Sequence, residues 1–113
     1  MYQDITVEEF KNRFKDGGEA HLLLDVRTIE EYEDARIAGS TLIPMNEIPS
    51  RLSEIEDAAN EQPVIVMCRT GMRSAQVAQF LTMRAGFKMP VYNLDDGIMA
   101  WARQRWPIER GPE

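Results

Sequence analysis

Eleven residues, Val64-Ile65-Val66-Met67-Cys68-Arg69-Thr70-Gly71-Met72-Arg73-Ser74, constrain this chain more than any other stretch. Four consecutive apolar residues predict a buried strand, and a short polar turn with one glycine follows it. From Ser74 the spacing of Val77, Phe80 and Leu81 predicts a helix. That order places Cys68 at the carboxyl end of a strand, facing the backbone N–H groups of a helix N-terminus. Unpaired amides and the helix dipole make such a place favourable to an anion. Arg69 and Arg73 add two permanent positive charges. Surroundings of this kind draw a thiol pKa from about 8.5 towards roughly 3.5–7.5. At pH 7 a thiol of pKa 8.5 is about 3% thiolate, and one of pKa 6.5 is about 75%. Cys68 therefore reads as a nucleophile, rather than as the small buried hydrophobe that a free cysteine commonly is.

With 113 residues the chain is long enough for one domain, expected over residues 1–113, with a core that needs no staples. Its single cysteine excludes an internal disulfide and, with a single histidine, argues against a protein-only zinc site. His21 opens an apolar strand pattern and reads as a structural or surface residue. No apolar run approaches the length of a membrane span. Met1-Tyr2-Gln3-Asp4 lacks the basic start of a signal peptide, so a cytoplasmic location is expected. The net charge of −6 is unevenly placed: residues 1–60 carry 14 acids and 6 bases, residues 61–113 carry 5 and 7. Such a protein repels nucleic acid as a whole, while its less acidic half holds the anion site. A small anion, or a partner with its own basic surface, suits that balance. The acids between Glu54 and Glu61 read as a solvated helix face.

Along the chain, strands and helices alternate without linker or repeat. Thr6 and Glu9 form a capping box, opening a helix that should end near Gly17-Gly18. His21–Val26 reads as a buried strand. Thr28 and Glu31 form a second capping box, for a short helix to about Asp34. Ser40–Pro44 reads as a short strand, Pro49 or Ser50 to Ala59 as a helix, and Pro63–Met67 as the strand before the cysteine. The helix after it should reach about Ala85, with Gly86 as its stop. Met89–Asn93 reads as a strand, and Asp96 should cap a last helix through Trp101, whose indole is expected in the core. Short apolar strands between amphipathic helices predict an α/β fold, a parallel sheet covered on both faces. In such sheets ligands bind beyond the carboxyl ends of the strands, which is where Cys68 falls.

Three stretches of the chain resemble the signatures of the rhodanese-like sulfurtransferases. Leu24-Asp25-Val26-Arg27, Glu31-Tyr32, Ile37-x-Gly39-Ser40 and Ile43-Pro44 are similar to the N-terminal signature. Cys68-Arg69-Thr70-Gly71-Met72-Arg73 is similar to the active-site loop, and Asp96-Gly97-x-x-Ala100-Trp101 to the C-terminal signature. Arg36 stands where family members often have histidine, and Asp96-Gly97 where they often have two glycines. Arg36 is expected to be exposed and structural.

The resemblance implies a single rhodanese-like domain of about five parallel strands, in which Cys68 carries sulfur as a persulfide and no cofactor is needed. A small anionic sulfur donor such as thiosulfate would be held by Arg69 and Arg73. The persulfide would sit in the cradle of amides from Arg69 through Thr70, Gly71, Met72 and Arg73 to Ser74. Cyanide, a low-molecular-weight thiol or an acceptor protein would take the sulfur away. Gly71 supplies a tight or left-handed turn, and Met72 is placed to line the mouth. Asp25 ends a buried strand, so its carboxylate needs a partner, with Arg27 or the loop amides as candidates and scaffolding as its role. Two alternatives stay open: a protein-to-protein sulfur relay for thiolation or cluster assembly, and a cysteine phosphatase or arsenate reductase. Cysteine phosphatases use Cys-x5-Arg, which here would need arginine at Ser74. The arginine comes one residue early, at Arg73, so the ring of amides should be too tight for a phosphoryl group.

Overall fold

The computed structural model describes residues 1–112. Five strands, β1 (Gln3–Ile5), β2 (Leu22–Asp25), β3 (Thr41–Leu42), β4 (Val64–Met67) and β5 (Val91–Leu94), form one sheet in the order β1-β5-β4-β2-β3. Every pairing is parallel. The helices are α1 (Val7–Phe10), which continues as a π-helical stretch (Lys11–Asp16), α2 (Ile29–Asp34), α3 (Leu52–Ala59), α4 (Met72–Met83) and α5 (Gly97–Arg103). All β2 and β4 residues are buried, as strands covered on both faces must be.

The pleat sorts the core into two layers. Leu22 and Leu24 of β2 and Val26 just past it join Val64 and Val66 of β4 and Cys68 just past it, packed with Ile55 of α3 and Val77, Ala78 and Leu81 of α4. Leu23, Ile65 and Met67 face the other way, onto Val7 and Phe10 of α1 and Ile98 and Trp101 of α5. Cys68 thus continues the alternation of β4 on the α4 side, one residue past the last strand position. Trp101 is buried and donates its indole N–H to Pro107 O at 2.8 Å. His21 is half-buried, edge-on to Phe10, with Nδ1 2.8 Å from Glu19 O.

Both capping boxes form, at Thr6 and at Thr28. Several expectations change. The edge strand β1 is short and half polar, and only Ile5 of its three residues is buried, so no periodicity announces it. The segment expected as one helix to Ala59 is two: a 3-10 turn over Met45–Ser50 holding Pro49, then α3. Proline removes the N–H that a continuous helix needs. Helix α4 begins at Met72, two residues before Ser74, because Gly71 at φ 96° supplies the left-handed entry. Asp96 sits at the start of α5, but at φ 60° its side chain makes no capping bond. Arg36 is buried, not exposed: its guanidinium donates to Tyr32 O at 3.2 Å and Gly111 O at 2.6 Å, under a bridge to Glu109. The C-terminal segment covers it, which local pattern cannot reveal. Among the described residues no helix is long and apolar enough to cross a membrane.

Candidate active site

The loop after β4 closes around its own sulfur. Gly71 N–H donates to Cys68 Sγ at 3.1 Å and Ser74 N–H at 3.4 Å, while Ser74 Oγ lies 3.3 Å away. Glycine at the N-cap has no side chain with which to satisfy the first amides of α4. Sγ stands in for the missing capping oxygen by accepting from the third residue of the helix. Burial of Cys68 pushes its thiol pKa up, but the hydrogen bonds from the Ser74 hydroxyl and from the Ser74, Gly71 and Thr70 amides outweigh it. The net shift is downward. Of the six loop residues from Arg69 to Ser74, Gly71 and Ser74 are the ones that place hydrogen-bond donors on the sulfur.

The loop is held from outside by α5. Ile98 N–H donates to Cys68 O at 3.0 Å and Met99 N–H to Arg69 O at 3.1 Å. Those two bonds anchor the start of the loop to α5. Gly97 makes this docking possible. A Cβ there would overlap Cys68 O and lie 2.5 Å from Arg69 O. Asp96 at φ 60° occupies the other glycine-like conformation of the pair, one that Asp tolerates better than most residues.

Asp25 takes one of its two expected partners, whereas Arg73 departs from expectation. Asp25 is fully buried and takes Arg27 as its partner, not the loop amides: Nε donates to Oδ1 at 3.0 Å and Nη2 to Oδ2 at 2.8 Å. Arg27 Nη2 also reaches Ala35 O at 2.7 Å, tying the end of β2 to α2. Arg73 does not point an open fork at the cysteine. It is clasped by Glu31, with Nη1 to Oε1 at 2.7 Å and Nη2 to Oε2 at 2.9 Å. Those bonds lower the Glu31 carboxyl to about 2, against a smaller opposing effect of burial. Arg69 is exposed and lines a 170 Å³ groove with Arg27, Glu31, Asp34 and Met99. On the other side of the Glu31–Arg73 pair, Arg73, Met45, Pro44 and Val26 line a 400 Å³ cleft. Met72 projects into solvent, 74% exposed, and lines neither; Met45 supplies the apolar wall.

Two residues missed from sequence complete the surroundings of the sulfur. Asn93 on β5 accepts from Ser74 Oγ at 2.5 Å and donates to Gly71 O at 3.2 Å and Asp4 Oδ1 at 3.0 Å. Asp4 and Asn93 are register partners of β1 and β5, so finding the pair requires the strand that periodicity does not show.

The chain has relatives among known proteins. Residues 6–104 match the family described as Rhodanese-like domain. A sulfurtransferase of Allochromatium vinosum is 38% identical over 108 residues, covering 96% of this chain and 95% of that protein. A putative sulfur carrier protein of Bacillus subtilis, YrkF, is 37% identical over 87% of this chain, which spans 50% of it. The crystal structure of a thiosulfate sulfurtransferase from Pseudomonas aeruginosa superposes with a TM-score of 0.85 at 28% identity, covering 98% of this chain and 21% of that one. With the family matched over most of its length, the chain belongs to the rhodanese-like domain family.

Proposed function

We propose that this protein is a sulfurtransferase in which Cys68 takes sulfane sulfur from thiosulfate or another sulfane donor and passes it on from a persulfide. The observation that carries the reading is the set of donors at Sγ: two loop amides and a hydroxyl converge on one buried sulfur. Donors aimed at a fixed point favour the thiolate before reaction. They favour the anionic terminal sulfur after it, as an oxyanion hole favours an alkoxide.

The transfer balances without a cofactor. The Cys68 thiolate attacks the outer sulfur of thiosulfate, a bond forms from Sγ to that atom, and the donor's S–S bond breaks. Sulfite departs with the electron pair and leaves Cys68–S–S⁻. Cyanide or a thiolate then attacks the terminal sulfur, carries it off and returns the cysteine thiolate. The role of Arg69 is to draw the anionic donor into the groove. Asp25 and Arg27 fix the neighbouring strand end rather than react. Relay to an acceptor protein is the second reading, favoured by the relative named as a putative sulfur carrier.

Intact-mass spectrometry tests the proposal. Thiosulfate should add the mass of one sulfur, lost again with cyanide or a reductant, and Cys68→Ser should show neither adduct nor turnover. Substantial thiosulfate:cyanide transfer by that variant overturns the reading.

A further inference from the structure

We propose that Asp4 is a positioning residue for Cys68: from the edge of the sheet it holds the Asn93 amide with its oxygen towards Ser74, and so divides the Ser74 hydroxyl between Asn93 and the sulfur. The inference rests on Cys68 being the nucleophile.

A line of hydrogen bonds runs from the surface to Sγ. Asp4 is exposed, whereas Asn93 and Ser74 are buried. Parallel pairing of β1 with β5 sets Asp4 beside Asn93, and Asn93 Nδ2 donates to Asp4 Oδ1 at 3.0 Å. Asn93 Oδ1 accepts from Ser74 Oγ at 2.5 Å, and Ser74 Oγ lies 3.3 Å from Cys68 Sγ. Asp4 therefore acts on the sulfur through two intervening side chains.

The two ends of a side-chain amide differ in chemistry but hardly in shape. Which end of Asn93 faces Ser74 is decided by what the rest of the amide meets. Asp4 Oδ1 and Gly71 O are both acceptors, so both favour Nδ2 on their side. Gly71 belongs to the cysteine loop itself, which leaves Asp4 as the anchor outside it. A bond to a carboxylate is stronger than one to a neutral carbonyl, and it polarises the amide so that Oδ1 becomes the better acceptor.

The orientation matters because a hydroxyl has one proton to give. With Oδ1 in front of it, Ser74 Oγ donates either to Asn93 or to Sγ. With Nδ2 in front of it, Ser74 Oγ would accept from Asn93, and its proton would go to sulfur alone. Asp4 thus withholds part of a donor that favours the thiolate. A thiolate held less tightly is the stronger nucleophile once formed, because nucleophilicity falls as thiol pKa falls. The charges that face this region from the packed elements are Arg73 of α4, clasped by Glu31 of α2, and Asp25 of β2, paired with Arg27. Arg69 follows the cysteine, and Asp95 joins the edge through its N–H on Ile5 O.

The pH profile of Cys68 alkylation by iodoacetamide tests this in the full chain, with a melting curve to confirm that each variant is folded. The variants leave all of those other charges in place. Asp4→Ala should lower both the midpoint of the profile and the plateau rate above it. Asp4→Asn, whose side-chain oxygen can accept the same bond, should return both to their wild-type values. In a Ser74→Ala background there is no hydroxyl to divide, so adding Asp4→Ala should move neither. An unmoved or raised midpoint in Asp4→Ala overturns the proposal. So does a shift of equal size in Asp4→Asn, or one that persists without the Ser74 hydroxyl, since either would mean that the charge acts through space. Alkylation needs no sulfur donor, so the two readings fail separately. A Cys68 that shows the expected pattern yet takes no sulfur from thiosulfate overturns the sulfur-transfer reading and supports the role of Asp4.

Discussion

Ser74 Oγ lies 2.5 Å from Asn93 Oδ1 and 3.3 Å from Cys68 Sγ, so one hydroxyl proton has two acceptors within reach. Asn93 cannot turn its amide around. Its Nδ2 donates to Asp4 Oδ1 and Gly71 O, which leaves only Oδ1 to face Ser74. A neutral thiol leaves the hydroxyl bonded to Asn93, whereas a thiolate draws it towards sulfur.

The two neighbours should therefore move Cys68 in opposite directions. Ser74→Ala removes the side-chain hydrogen bond to the thiolate, and the pH midpoint of iodoacetamide alkylation should rise. Asn93→Ala removes the competing acceptor, so its midpoint should fall, at a stability cost of about 1–3 kcal/mol for the groups left unpartnered. A rise in both variants would show that Asn93 acts through the loop backbone alone.

Acid should weaken the Glu31–Arg73 clasp in a defined window. The folded-state carboxyl titrates near 2, below its unfolded value. The stability it contributes is thus full above about pH 4.5 and lost as pH falls through about 2. Both side chains are about one-third exposed, at 29% and 37%, so solvent screening reduces the contribution to about 1–2 kcal/mol. The melting-temperature difference between wild type and Glu31→Gln should be largest near pH 7 and shrink towards pH 2. A difference constant across that range would refute the assignment.

Gly97→Ala should be far more damaging than Gly39→Ala. Both glycines have positive φ, 56° and 83°, so each substitution incurs about 1–2 kcal/mol of left-handed strain. A Cβ at Gly39 meets open space, while at Gly97 it strikes the Cys68 and Arg69 carbonyls. Gly97→Ala is expected to cost a further ~2 kcal/mol or more and to lower Tm by roughly 10 °C or more, with loss of sulfur transfer. Equal melting temperatures for the two variants would show that α5 yields without disturbing the loop.

Phosphate esters should be poor substrates. With Gly71 and Ser74 amides already 3.1 and 3.4 Å from one sulfur, the ring leaves little room for three equatorial phosphoryl oxygens. Wild type assayed side by side should turn over a sulfane donor and show negligible hydrolysis of aryl phosphates. Faster ester hydrolysis would overturn the assignment.

What could be read from sequence follows the range of the interactions. The boxes at Thr6 and Thr28 span three residues, and the strand-turn-helix around Cys68 spans eleven, so local pattern reveals both. The fate of Arg73 depends on a carboxylate 42 positions earlier, and that of Arg36 on Gly111, 75 positions later. A sequence displays the charge but not its partner. Asn93 looked like an ordinary strand residue because its meaning lies in the register with Asp4, on a three-residue edge strand.

Cys68 is 1% exposed, although its thiolate is favoured. Reactivity and accessibility are thereby separated, and the loop becomes a filter on valence. A terminal sulfur, bonded on one side only, can be presented end-on to Sγ. A bridging sulfur in a disulfide carries a substituent on each side and approaches the enclosed Sγ less readily. The same enclosure that holds the anion should thus keep this cysteine out of mixed-disulfide exchange with the bulk thiol pool.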